Sequence, residues 1–516
     1  MKKLLLSFLT LVVLLVWAVL PGSADDKKAA APGAKAPAEG VKSPPSKPAN
    51  TSPDGAAKDA KPAETKPAET KMSVIEFKSI PDEKNSCIQC HTSPDVWDPK
   101  DPKTMHELGK FPLEALKNDV HWQKGLRCQD CHGGDPTIED VPNKVHEAKH
   151  DFRAIKSPAD IPDFCGRCHS NIEYMRHFNP SPRTDQLAEY WTSGHGKHLK
   201  ANGDPKVATC ISCHDKPHGN ALDLTPHGIR PVNVPPSPVF HLNVAKTCAK
   251  CHSDPKYMAG RSYKGQPLPC NEYAKWRKSV HGTALLDKGD FSAPTCNNCH
   301  GNHGAAPPQT DSVANACGIC HGKIASLFEN TKMRHKFEKE GLPGCATCHG
   351  NHEIRQPSDE FLGMKEGAFC VRCHEQGKEK HGATIAGAKA AQTIRADLQH
   401  LTGGIHKASE TLAKAEELGM EVSEPKFNLH KALDALTNAR TQIHSFKVDV
   451  VEKALADGEK VVTEVQGKAD HALQEHQYRR YWLAISLVPI LIVIGLLLLY
   501  IRALPIPEKP ADSNSG

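Results

Sequence analysis

Apolar and polar positions divide the chain into stretches with different periodicity. Lys2 and Lys3 precede a largely apolar run from Leu4 to Leu20, closed by PGSADD. That order of basic, apolar and small residues predicts an export signal over 1–24, cleaved after Ala24, with an uncleaved anchor as the alternative. Residues 25–72 are mostly Ala, Pro, Lys, Glu and Ser, with the near repeat KPAETKPAETK. Such a composition cannot bury enough apolar surface to fold and predicts a disordered, semi-extended linker. From 73 to 381 apolar periodicity is weak and Pro and Gly are frequent, so short helices and long loops are expected. Between 382 and 480 a stepping by four and three appears at Ile394, Leu398, Leu401, Ile405, Ala408, Leu412 and Ala415. It recurs at Leu429, Ala432, Leu436, Ala439, Ile443, Phe446 and Val450, predicting two helices in an antiparallel hairpin joined through GMEVSEPK, the second continuing toward the C-terminus. Tyr481 to Ile501 carry no charge and have aromatic residues at both edges, as expected of a transmembrane helix with a short polar tail over 502–516.

Composition changes the picture of the middle stretch. The 516 residues include 19 cysteines and 30 histidines. Eighteen cysteines fall into nine copies of Cys-x-x-Cys-His: Cys87/Cys90, Cys128/Cys131, Cys165/Cys168, Cys210/Cys213, Cys248/Cys251, Cys296/Cys299, Cys317/Cys320, Cys345/Cys348 and Cys370/Cys373, with Cys270 left over. Two thiols at this spacing can add to the two vinyl groups on one edge of a haem, and the next residue then ligates the iron from one face. A disulfide framework or zinc sites would also use paired cysteines, but neither demands a histidine after every second one. The expected cofactor is therefore haem c, nine copies covalently attached. A segment so poor in apolar periodicity would fold around stacked haems that serve as its core.

On these motifs the stretch 87–381 resembles the multihaem c-type cytochromes, which implies electron transfer along closely spaced haems. The fold expected for the whole chain is mainly α and irregular. It comprises a nonahaem cytochrome domain over 73–381, a helical hairpin or stalk over 382–480 and one C-terminal transmembrane helix over 481–501. No copy reads Cys-x-x-Cys-Lys, the variant some multihaem reductases use at a catalytic haem, and no catalytic residue is assigned.

The motifs name nine proximal ligands: His91, His132, His169, His214, His252, His300, His321, His349 and His374. Six-coordinate iron needs as many distal ligands, and with only eight methionines in the chain most should be histidines. An internal repeat narrows the choice, because residues 165–218 and 248–303 share one two-motif unit in which Ser-x-His-Gly precedes the even motif and a further histidine follows it. The candidates are His195 and His281 from Ser-x-His-Gly, His218, His303 and His352 after even motifs, His177 and His335 from Met-Arg-His, and His106, His121 and His146. A histidine three or four residues beyond its motif reaches only about 10 Å, too short to round its own porphyrin, so His218, His303 and His352 are expected at neighbouring haems. Where the first unit has Tyr174-Met175-Arg176-His177, the second has Tyr257-Met258-Ala259-Gly260. The iron of that second motif is expected to be served by His227, His241, Met258 or Cys270, or left open. The six histidines of the stalk, His400, His406, His430, His444, His471 and His476, read mostly as exposed helix positions, with room for one to cap a terminal haem.

The formal charge of +5 omits the cofactors. Each haem brings two propionates against one ferric charge, so nine haems move the balance to the acidic side and a nucleic-acid partner has no support. The functional expectation is a single-pass protein of the cytoplasmic membrane, its haem domain facing the periplasm. It would carry electrons between the quinol pool or a partner complex and periplasmic or extracellular redox proteins. A quinol dehydrogenase or a terminal reductase are the partners expected. The alternatives are a reductase of small nitrogen or sulfur oxyanions with one open haem, or the haem subunit of a respiratory complex.

Overall fold

A computed structural model describes residues 80–93, 116–139, 142–215, 228–263, 265–306, 315–375 and 379–504. The export signal, the linker, the polar tail from residue 505, His106, His218 and His227 lie outside them. The chain divides into two units, one spanning Phe77–Ala472 and one that includes Leu473–Gly516.

In the first unit, residues up to 380 fold into short helices, most of nine residues or fewer, with one two-stranded ribbon pairing Ser262–Tyr263 with Gln266–Pro267. Every Cys-x-x-Cys-His motif contributes a helical turn. Three even motifs are closed in the same way: the side chain of the residue before the second cysteine accepts the backbone N–H of the residue before the first. Asp130 does so for Arg127 at 2.6 Å, Ser212 for Thr209 at 3.0 Å and Asn298 for Thr295 at 2.9 Å. A polar side chain at that helix position satisfies a backbone donor the short helix leaves unpaired. Apolar packing here is confined to small groups such as Tyr190, Leu199 and Val207, or Ala245, Trp276, Leu285 and Ala293.

Three short helices recur between odd and even motifs: α1 (Gly194–Asn202), α2 (Val280–Asp287) and α3 (Lys332–Lys339). Each starts at a buried Ser193, Ser279 or Thr331 whose hydroxyl accepts the N–H three residues on, from Gly196, Gly282 or Arg334. The glycine of Ser-x-His-Gly has a steric reason. A Cβ at Gly196 would stand 2.1 Å from the Tyr190 carbonyl oxygen, and one at Gly282 would stand 2.2 Å from that of Trp276.

From residue 385 the pattern changes to long helices. In α4 (Ile385–Glu417), Ile394, Leu398, Leu401, Ile405, Ala408, Leu412 and Ala415 are all buried, the seven positions the stepping predicts. In α5 (Ser423–Gln442), Leu429, Ala432, Leu436 and Ala439 are buried likewise. The expected continuation through Ile443, Phe446 and Val450 is corrected by the structure. The helix tightens into a 3-10 turn over Ile443–Ser445, Phe446 takes a left-handed φ of 53°, and a new helix, α6 (Val448–Ala503), begins. The first part of α6 packs back on the pair, so the predicted hairpin is a three-helix bundle. A Cβ at Gly458 would meet Leu401 and Ala435 at 2.9 Å, which is why a glycine sits where α6 crosses both partners.

In the second unit, the C-terminal part of α6 carries the uncharged stretch Tyr481–Ile501, whose large side chains are mostly exposed. It is long and apolar enough to cross a membrane.

Candidate haem-binding chain

The motif histidines and the distal candidates meet as ring pairs. His146 lies 6.2 Å from His91 between ring centroids, His121 5.9 Å from His169, and His195 6.1 Å from His252. His303 stacks parallel to His214 at 6.0 Å, His281 faces His321 at 6.4 Å and His352 faces His300 at 6.1 Å. A seventh pair joins His349 to His444 at 6.2 Å. Metal–imidazole bonds of about 2 Å, with each nitrogen about 1 Å from its ring centre, put two imidazoles on one ion about 6 Å apart. The donor set therefore fits a metal held between each pair, as the iron of a bis-histidine haem would be.

The pairing follows a rule. Histidines before an even motif face the next odd one: His121 faces motif three, His195 motif five and His281 motif seven. Of the histidines after an even motif, His303 faces motif four and His352 motif six, each the preceding even one, while His146, after motif two, faces motif one. His303 and His352 thus reach neither their own motif nor the one next to it in the chain, but the second motif back.

Hydrogen bonds orient several of the rings. The Nδ1–H of His132 donates to the Arg153 carbonyl at 3.3 Å, that of His300 to Ala306 at 3.2 Å and that of His374 to Thr384 at 2.9 Å. A backbone carbonyl can only accept, so each bond fixes the tautomer and leaves Nε2 as the ligating atom. Among distal candidates, His121 bonds Asp119 at 3.0 Å and His444 bonds the Thr441 carbonyl at 3.1 Å. Burial pushes His195 and His214 down to about 4, the facing rings of His252 and His303 adding to the effect. Burial lowers His169, His252, His281, His303, His349, His352 and His444 in the same direction. These rings are neutral at neutral pH, the state in which a nitrogen lone pair is free for a metal.

The cysteines connect one motif to the next in order. Cys165 lies beside Cys210, Cys248 beside Cys296 and Cys317 beside Cys345, joining motifs three to four, five to six and seven to eight through their first cysteines. Cys128 lies within electrostatic reach of Cys87 in the same sense. Even motifs reach the following odd one through second cysteines, Cys131 to Cys168, Cys213 to Cys251 and Cys299 to Cys320, and Cys348 reaches Cys370. None of the nineteen cysteines is disulfide-bonded, and among the described residues no three His, Cys, Asp or Glu side chains converge on a metal site. One connected cavity of about 5570 Å³ touches cysteines of all nine motifs, against about 300–1,000 Å³ for an ordinary ligand pocket.

Cys90 and Cys373, the second cysteines of the first and last motifs, do not line that cavity, although both are half-buried. Second cysteines of odd motifs from three to seven are turned to the even motif before them, and no motif precedes motif one. Cys90 has its own partner Cys87 within electrostatic reach, and Cys87 and His91 carry motif one into the cavity. At the other end Cys370 carries motif nine into the cavity, and Cys348 of motif eight lies within electrostatic reach of both Cys370 and Cys373.

Some expected distal residues are placed elsewhere. His177 is exposed, its Nδ1–H donating to the carbonyls of Glu173 and Tyr174, and His335 is exposed on α3. Neither meets a motif histidine. Because the His177 position faces no motif in its own unit, its absence from the other unit leaves no gap: His252 is met by His195. His241 instead bonds the Ala293 carbonyl, and Met258 is buried at the C-terminus of its short helix. The stalk residue His444 is the placement the sequence did not single out.

No curated protein and no solved structure matches the chain. Residues 290–375, which hold the last four motifs, match the family model described as cytochrome c3, so this segment is similar to multihaem electron-transfer cytochromes.

Proposed function

We propose that the chain is a membrane-anchored nonahaem c-type cytochrome that carries electrons between the membrane and periplasmic or extracellular redox proteins. The observation that carries this reading is the consecutive chain of motif contacts: each cysteine pair neighbours the next from motif one to motif nine. Electron tunnelling falls steeply with distance, so cofactors attached to such neighbours would conduct along the chain order. Haem supplies a one-electron couple at each position.

The residues of the chain do the rest. Eighteen cysteines, from Cys87 and Cys90 to Cys370 and Cys373, would fix each haem edge, and the nine motif histidines would hold one axial position. His146, His121, His303, His195, His352, His281 and His444 would hold the other at motifs one, three, four, five, six, seven and eight. Paired neutral imidazoles favour low potentials. The absence of charge from Tyr481 to Ile501 supports insertion in a membrane, with the haem-bearing part on the side reached by export. Electrons would enter from the quinol pool or a partner complex there.

A redox titration of the purified holoprotein, followed by visible and EPR spectra with covalent haem counted by mass, tests the reading. Nine haems per chain, low-spin in the great majority, are expected. Fewer attached haems would refute the nonahaem assignment. A dominant high-spin signal that responds to nitrite or hydroxylamine would replace the carrier reading with a reductase.

A further inference from the structure

We propose that Met333 is the distal ligand of the haem attached at Cys370 and Cys373, opposite His374. The inference rests on the haem reading above and specifies one ligand that the histidine pairs leave unassigned.

The argument is one of register. Counting from the capping residue of α1, α2 and α3, position −3 is a buried aromatic: Tyr190, Trp276 or Phe328. Position 0 is Ser193, Ser279 or Thr331, and each hydroxyl donates to the carbonyl at −3, at 2.6, 2.6 and 2.7 Å. Position +6 is a buried Leu199, Leu285 or Phe337 that packs with the −3 aromatic; in the third copy the two rings are 5.9 Å apart. Four shared features leave no freedom to slide the alignment. Position +2 is His195, His281 and Met333. An earlier segment agrees, with Asp119 capping and His121 at +2.

The targets advance in step. The +2 residue of the first segment faces motif three, that of α1 faces motif five and that of α2 faces motif seven. The +2 residue of α3 is next in the series, and motif nine is the next odd motif. Among the described residues His374 has no histidine ring facing it. Its proximal side is already closed by α4, where a Cβ at Gly387 would come 2.5 Å from the imidazole.

Contacts along α3 point to the same place. Residues +2, +5 and +9 share a helix face. On α3 these are Met333, Lys336 and Glu340. Lys336 packs on Gly382, where an added Cβ would meet its Cε at 3.2 Å, and Glu340 pairs with His381 at 3.5 Å. Both partners belong to the short segment between motif nine and Thr384, whose carbonyl holds His374. Met333, half-buried, lies one turn from Lys336 on that face. His335, two residues on, lies on another face and is exposed.

A thioether donates a sulfur lone pair and favours the reduced iron more than a second imidazole does, so this haem would sit above its bis-histidine neighbours in potential. The chain of motifs would then end on its most oxidising member.

The test uses the full-length holoprotein and three variants, Met333→Ala, Met333→His and His335→Ala, with haem counted by mass in each. Wild type should show the long-wavelength sulfur-to-iron charge-transfer band and the strongly upfield methyl resonance of an axial methionine. Met333→Ala should lose both and convert one haem to high spin, with haem count unchanged. Met333→His should lose both, stay low-spin and lower the highest midpoint potential, while His335→Ala should match wild type. Absence of both signatures from wild type, or a high-spin haem in His335→Ala instead, would overturn the proposal. A mass lacking haem at Cys370 and Cys373 would overturn it together with the haem reading at that motif.

Discussion

His444 is the residue on which the helical bundle and the motif chain meet. Its ring faces His349, and its Nδ1–H is tied to the Thr441 carbonyl, so Nε2 is turned toward the motif. Replacing it with alanine should convert one haem to high spin while the haem count stays constant, a change read directly by EPR. His177→Ala should leave the same spectrum unchanged, because that exposed ring bonds only its own helix. Gly387 sets a steric limit at motif nine. Gly387→Val would drive a side chain into the His374 ring, where even a Cβ would stand 2.5 Å away. Overpacking of this kind costs about 1–3 kcal/mol, and the denaturation midpoint should fall with a spectral change confined to one haem.

At the scale of elements, α4 and the first part of α5 were legible because a long amphipathic helix repeats its burial pattern over many turns. Ile394 to Ala415 and Leu429 to Ala439 are buried as their spacing predicts. The third helix was not legible. Ile443, Phe446 and Val450 keep the four-three spacing, yet the chain leaves the helix there, and Phe446 packs its ring 6.3 Å from Phe328. A contact between residues more than a hundred positions apart outweighs a local periodicity that continues equally well either way. The bundle should be a separable source of stability. Leu412→Ala, at a fully buried position, is expected to cost about 2–5 kcal/mol, seen as earlier loss of helical circular dichroism, with the spectra of the haems at motifs one to seven unaltered.

For the molecule as a whole, the uncharged stretch Tyr481–Ile501 should decide where the protein resides. A chain ended after Gln477 is expected to move the haem from the membrane pellet to the soluble fraction, with visible spectrum and haem count intact; haem that stays in the pellet after a salt wash would point to a second attachment. The sequence by itself determined the positions of the nine motifs, the histidine that follows each, and the buried faces of α4 and of most of α5. Those features are local, since Cys-x-x-Cys-His places its three groups within one helical turn and an amphipathic helix repeats its own signal. Only the tertiary structure decided which ring faces which motif, and that the end cysteines Cys90 and Cys373 stand outside the space the other motif cysteines share. His444 comes to His349 across 95 residues and His281 comes to His321 across a whole motif, separations over which spacing carries no geometric information. The repeat of Ser-x-His-Gly suggested candidates but could not say that each skips the motif beside it. Backbone direction and the packing of an aromatic under each cap settle that choice.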